Sequence, residues 1–119
     1  MSQRLAVVAI IDDNLYVRNA LENLLSAYNY ATEHYASAEG FLEAAQRSEA
    51  RCLIVDVQLG SSCGIALVRQ LAQLGVVLPT IFVSASDCPE VERRAMETGC
   101  VAFLHKPVMR PACWKRCPA

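Results

Sequence analysis

The sequence predicts an α/β domain, an open parallel sheet with helices on both faces, and three observations carry that reading. Strand-like and helix-like segments alternate along the chain, as a doubly wound sheet requires. Apolar runs near residues 5 to 11, 52 to 56, 80 to 84 and 101 to 105 are nearly continuous rather than alternating, as strands covered on both faces should be. Each run also ends in polar residues: Asp12 and Asp13 after LAVVAII, Asp56 after CLIV, Ser84 after TIFV, and Lys106 after VAFLH.

Taken in order, the first helix follows the first strand with an apolar stripe of Val17, Leu21, Leu24, Leu25 and Tyr28. Asn29 falls where a left-handed cap closes such a helix. The run Tyr30 to Ala36 alternates and includes Thr32, Glu33 and His34, which suits an edge strand. Phe41, Leu42 and Ala45 make a shorter stripe on the second helix, and Ile65, Val68, Leu71 and Ala72 serve the third. Gly75 and Gly99 are further left-handed caps, and Asp87 with Glu90 reads as a capping box opening the fourth helix. The expected strand order is 2-1-3-4-5, a flavodoxin-like arrangement. The tail VMRPACWKRCPA is the weak element. Pro111 suits a first helical turn but Pro118 bars extension, leaving barely two turns that Trp114 would anchor to the sheet.

Composition bounds the function. The 119 residues make one domain with a single sizeable core, without internal repeat, low-complexity segment or linker. A formal net charge of −1 gives no basic surface for gripping nucleic acid. No run reaches membrane-spanning length, and MSQRLAVVAIIDD ends in acids rather than the small residues of an export signal, so a cytoplasmic protein is expected. The six cysteines then read as reduced thiols. Cys52 and Cys100 are packing residues, Cys63 lies in an acidic loop that does not favour a thiolate, and Cys113 with Cys117 supplies two zinc ligands where four are needed.

The polar strand ends have a chemistry in common. Ligands of open α/β sheets bind outside the carboxyl ends of the strands, where strand order reverses. Three carboxylates gathered there repel one another unless a cation holds them, and Mg²⁺ suits carboxylate and carbonyl oxygens while keeping sites for phosphoryl oxygens. Lys106 would meet the charge of a transferring phosphoryl group, Ser84 would donate to one of its oxygens, and a carboxylate would serve as nucleophile.

From about residue 4 to residue 108 the chain resembles the receiver domains of two-component response regulators. The resemblance rests on Asp12-Asp13 closing the first strand, Asp56 closing the third, Gly64 eight residues later, Ser84 closing the fourth, and Lys106-Pro107 closing the fifth. It implies that Asp56 accepts a phosphoryl group from a histidine kinase. It also implies that Asp13, Asp56 and the Gln58 backbone carbonyl bind Mg²⁺ directly, with Asp12 acting mainly through a coordinated water. Ser84 and Phe103 fall at the switch positions, and the Lys106-Pro107 bond where the family has a cis peptide. On this reading residues 1–119 are a single receiver with an atypical tail, 108–119: a self-phosphorylating acceptor rather than a turnover enzyme. The side chains of Gln58 and Ser86 would flank the phosphate and govern water access. The segments IDDN followed by VRNALENLL, SAEGFL and AMETGCVAFLHKP are similar to receivers of LuxR-type transcription regulators, implying a DNA-binding or other effector partner. The surface left by the short tail would be buried against a second copy, in a phosphorylation-dependent homodimer.

Two departures accompany the resemblance: Gly60 stands where the family commonly has proline, which would loosen the loop after Asp56, and the tail replaces a longer fifth helix. Other classes fit less well. An aspartate-nucleophile phosphatase spaces its acids two residues apart, whereas here they are adjacent. A nucleotide- or flavin-binding protein needs a glycine- or hydroxyl-rich cradle where this chain has IDDNLYVR. A receiver-like interaction module independent of phosphorylation is the remaining alternative.

Overall fold

The computed structural model describes residues 6–60, 62–85 and 88–106. The elements run β1 (Val7–Ile11), α1 (Leu15–Ala27), β2 (Ala31–Tyr35), α2 (Ala38–Ala44), β3 (Cys52–Asp56), β4 (Gln58–Leu59), β5 (Ser62–Cys63), α3 (Gly64–Gln73), β6 (Thr80–Ser84), α4 (Pro89–Met96) and β7 (Ala102–His105). The main sheet is parallel, in the order β2-β1-β3-β6-β7, and β4 pairs with β5 in a separate antiparallel hairpin. Counting main-sheet strands alone, the order is the expected 2-1-3-4-5. Order reverses between β1 and β3, which opens a crevice at their carboxyl ends.

The continuous apolar runs are explained by two cores. Every residue of β3 and β6 is buried. Because successive side chains alternate in direction, Ala9, Ile11, Leu53, Val55 and Phe82 meet Phe41 of α2, Ile65 and Leu71 of α3 and Ala95 of α4 on one face. Val8, Ile10, Ile54, Ile81 and Val83 meet Leu21 and Leu25 of α1 on the other. Burying a Leu, Ile or Phe side chain contributes about 1.5–3 kcal/mol relative to leaving it in water, so these two layers are what hold the strand ends in place. Strand β2 is half-buried throughout, as its edge position requires.

Helix limits follow the expected punctuation. Asn29, Gly75 and Gly99 all take positive φ, at 69°, 83° and 81°. The fourth helix corrects the capping-box reading: its N-cap is Cys88, without a side-chain bond, and Pro89 takes the first helical turn. With Cys88 as N-cap, Glu90 falls at the second helical position, one too early to close a box, and Asp87 itself lies outside the described residues. On α3 the core contact is Leu67 rather than Ala72, which is exposed. Gly64, Leu67, Val68 and Leu71 form an i, i+3, i+4, i+7 stripe, and Ala72 lies about 100° around the helix from Leu71. Tyr28, expected in the α1 stripe, is the C-cap and remains 45% exposed. The tail, with its short fifth helix, Trp114, Cys113 and Cys117, lies outside the described residues. No helix among the described residues is long and apolar enough to cross a membrane.

Candidate functional site

The site is assembled where strands end. Asp12 follows β1 and is buried, its amide donating to the Tyr35 carbonyl at 3.1 Å, which ties the end of β1 to β2. Its Oδ1 accepts from the Asn14 amide at 2.9 Å, and its own carbonyl accepts from Arg18 Nη1 at 2.6 Å. Asn14 then caps α1, its side chain accepting from the amides of Tyr16 and Val17. Asp13, one residue on, is exposed.

Asp56 closes β3 and is only 6% exposed, with Oδ1 accepting from the Gln58 amide at 3.0 Å. The chain leaves this strand tightly, because the Val57 amide donates to the Val83 carbonyl at 2.9 Å and the Gly64 amide to the Val57 carbonyl at 2.7 Å. Gly64 is required by contact. A Cβ there would stand 2.2 Å from the Asp56 carbonyl oxygen and 2.7 Å from Val55 Cγ1. Lys106 arrives from the other side. Its amide donates to the Ser84 carbonyl at 2.9 Å, and its Nζ reaches Asp12 Oδ2 and Asp56 Oδ2, each at 3.0 Å.

Oxygens of Asp12, Asp13 and Asp56 lie within 4.8 Å of one another. With all three ionised and one ammonium among them, the group carries an excess of two negative charges. Burial pushes the Asp56 carboxyl above the ordinary carboxylate value, and the Asp12 charge adds to this, while the Lys106 ammonium and the Gln58 amide work against it. Burial also pulls the Lys106 ammonium down, but its hydrogen bonds to Asp56 and Asp12 outweigh that and leave it raised. Such a set of hard oxygens with uncompensated charge fits a divalent cation of the Mg²⁺ type.

The expected residues are thus brought together at Asp12, Asp13, Asp56 and Lys106. Ser84 is buried at the end of β6, in register with His105 of β7. Phe103 is half-buried against the core on the α2–α4 face, its ring edge-to-face with His105 at 5.4 Å between centroids. Pro107 and Ser86 lie outside the described residues. Cys63 is half-buried at the N-cap of α3. Gly60 takes φ +62°, a turn closed to proline, whose φ is fixed near −65°. The loop after Asp56 is a hairpin, Gln58 facing Cys63 and Leu59 facing Ser62, with Leu59 buried. Sequence reasoning missed Asn14 and Arg18. Asn before a helical stripe signals an N-cap, whereas nothing in the sequence announces an arginine that folds back onto a carbonyl.

The family profile described as response regulator receiver domain matches residues 8–116. The chain belongs to the response regulator receiver family. Response regulator protein TodT of Pseudomonas putida is 36% identical over 107 residues, which cover 90% of this chain and 47% of TodT. Transcriptional regulatory protein FixJ of Rhizobium meliloti is 31% identical over 100 residues, covering 84% of this chain and 49% of FixJ. The receiver thus spans about half the length of these relatives. The crystal structure of FixJ-N superposes with a TM-score of 0.85 at 27% identity, covering 96% of this chain and 91% of that one. Receivers carry an Mg²⁺-binding acidic pocket, and the three acids of this receiver fit that role.

Proposed function

We propose that this receiver takes a phosphoryl group from the phosphohistidine of a histidine kinase onto Asp56, in an Mg²⁺-dependent reaction. The modification then switches a protein-interaction face that controls a transcriptional output in the cytoplasm. The observation that carries the reading is the convergence of Asp12, Asp13 and Asp56, whose oxygens lie within 4.8 Å of one another, with the Lys106 ammonium 3.0 Å from both Asp12 and Asp56.

An Asp56 carboxylate oxygen attacks phosphorus, the phosphorus–nitrogen bond of the donor breaks, and the imidazole nitrogen leaves with its electron pair. Asp56 ends as an aspartyl phosphate. Asp13, Asp56 and the Gln58 carbonyl would hold Mg²⁺ directly and Asp12 mainly through a coordinated water, and the bound ion would supply charge neutralisation for the transferring group. Lys106, 3.0 Å from Asp12 and Asp56, neutralises the remaining charge. Gln58 has a second job, since its amide orients the acceptor carboxylate. Ser84 would donate to a phosphoryl oxygen, and its shift would free space for Phe103, altering the face formed by α4 and β7. A kinase, an effector protein or DNA-binding domain, and a second copy of the receiver are the implied partners.

Native mass spectrometry after incubation with Mg²⁺ and a small-molecule phosphodonor tests this directly. One added phosphoryl group, absent from Asp56→Asn, is expected, and the same spectra read whether modification drives a dimer. A folded protein without adduct would instead leave an interaction module independent of phosphorylation.

A further inference from the structure

Arg18 lies in the first turn of α1, and its side chain runs back toward the helix N-terminus, the direction helical side chains take. Its Nη1 donates to the Asp12 backbone carbonyl at 2.6 Å. That carbonyl belongs to the peptide plane joining Asp12 to Asp13. Asp12 is held at its other polar points by three separate segments: its amide by Tyr35 at 3.1 Å, Oδ1 by the Asn14 amide at 2.9 Å, and Oδ2 by Lys106 at 3.0 Å. Asp13 is exposed, so the plane it projects from is what aims it. Arg18 makes this contact at a cost. Its Nε is buried and, among the described residues, has no hydrogen-bond partner. An arginine serving only as helix surface would keep that group in water, because an unmade buried hydrogen bond is expensive.

We propose that Arg18 is a positioning residue for the metal. Its guanidinium locks the Asp12–Asp13 peptide plane and so holds the Asp13 carboxylate toward Asp12 and Asp56. This rests on the reading that the three acids bind a divalent cation. The guanidinium charge opposes cation binding, so removing it favours the ion while removing the restraint disfavours it, and weaker binding by a neutral variant means that the restraint is the larger effect.

The test is a calorimetric Mg²⁺ titration of the full chain at physiological salt, comparing wild type, Arg18→Met, which keeps an apolar stem without a donor, and Arg18→Lys, which keeps a donor and the charge. Arg18→Met is expected to weaken Mg²⁺ binding about tenfold, the change that follows when one residue's backbone must be ordered on binding. Arg18→Lys should recover most of that loss. The Mg²⁺ concentration that half-saturates phosphorylation should rise by the same factor in Arg18→Met and return toward wild type in Arg18→Lys, which separates positioning from a structural lesion. Unchanged or tighter Mg²⁺ binding by Arg18→Met overturns the proposal. Arg18→Gln, short and neutral, takes its place in the titration, with the same expected loss, should the methionine variant not fold. Wild type that binds no Mg²⁺ overturns the underlying reading of the acids; binding wild type beside an indifferent Arg18→Met overturns only the role of Arg18.

Discussion

Asp56 is held in two opposing ways, desolvated at the end of a buried strand yet hydrogen-bonded by Lys106 and the Gln58 amide. Desolvation dominates, so its carboxyl sits above the ordinary value of 3.8. A carboxyl raised in the folded state favours folding at pH below its unfolded value, and that contribution is lost as pH rises through the folded value. At neutral pH the metal-free receiver therefore carries the whole cost of this charge. Asp56→Asn is expected to be more stable in EDTA at pH 7.5, and each 1 kcal/mol of that gain raises the melting temperature by roughly 4 °C. The gain should shrink as the pH approaches 3.8, and melts across that range check it. A lower melting temperature at neutral pH would mean that the ion pair with Lys106 outweighs burial. Gly64 makes a different residue-scale prediction. Its missing Cβ would collide with the backbone oxygen of Asp56, which cannot swing aside, so Gly64→Ala should cost about 3 kcal/mol, the upper end for overpacking, and should impair phosphorylation. Gly75→Ala meets no atom within 4 Å, and its φ of +83° should cost only about 1 kcal/mol. Urea midpoints of the two variants provide the comparison. A Gly64→Ala protein no less stable than Gly75→Ala would contradict the steric account.

At the scale of elements, the β4–β5 hairpin carries the chain out of the site after Asp56. A two-residue link opening with Gly60 at positive φ is what the hairpin twist favours, and buried Leu59 fastens it to the core. Because a Cβ at Gly60 would meet only Asp13 Oδ2, at an ordinary 3.8 Å, Gly60→Ala should lose about 1 kcal/mol for its φ alone. Gly60→Pro cannot adopt that φ and should lose about 3 kcal/mol, together with affinity for Mg²⁺ as the hairpin opens. Thermal melts and Mg²⁺ titrations of the pair decide this; a proline variant as stable as wild type would show that the turn is not needed. The hairpin was not legible because two-residue strands are too short to carry periodicity. Strands β3 and β6 were legible to the residue, since full burial writes an unbroken apolar run that stops where the carboxylate or hydroxyl begins. The α3 face was half legible: an apolar stripe fits two adjacent registers, and only the approach to the sheet selects Leu67 over Ala72. The α4 start was misread because Asp87 and Glu90 mimic a box while Pro89 fixes the first turn. In the site, Asp12, Asp13, Asp56 and Lys106 were legible as strand ends, whereas the Arg18 contact depends on a side-chain path that no local pattern encodes.

For the whole molecule, the site and the fold share one stability. Lys106, reached only after the last strand, joins Asp12 behind β1 to Asp56 at the end of β3, so the ammonium ties together strands that the chain visits far apart. Its raised value means that its contribution is fully present below the ordinary 10.5 and is lost as pH rises through the folded value. Lys106→Met removes the only cation placed between two buried carboxylates among the described residues. Breaking a fully buried pair costs about 3–5 kcal/mol, and the partly solvated ammonium should bring this nearer 2 kcal/mol. That is a large share of the roughly 5–15 kcal/mol that stabilises a domain. A divalent cation held by the same acids would replace the lost charge, so Mg²⁺ should stabilise Lys106→Met more than wild type, beyond the roughly 2.7 kcal/mol that any ligand at a hundred times its dissociation constant supplies. Urea unfolding of both proteins, with EDTA and with saturating Mg²⁺, reads the difference. A deficit that Mg²⁺ leaves untouched would mean that lysine and metal act on separate carboxylates, which would break the link between site occupancy and global stability.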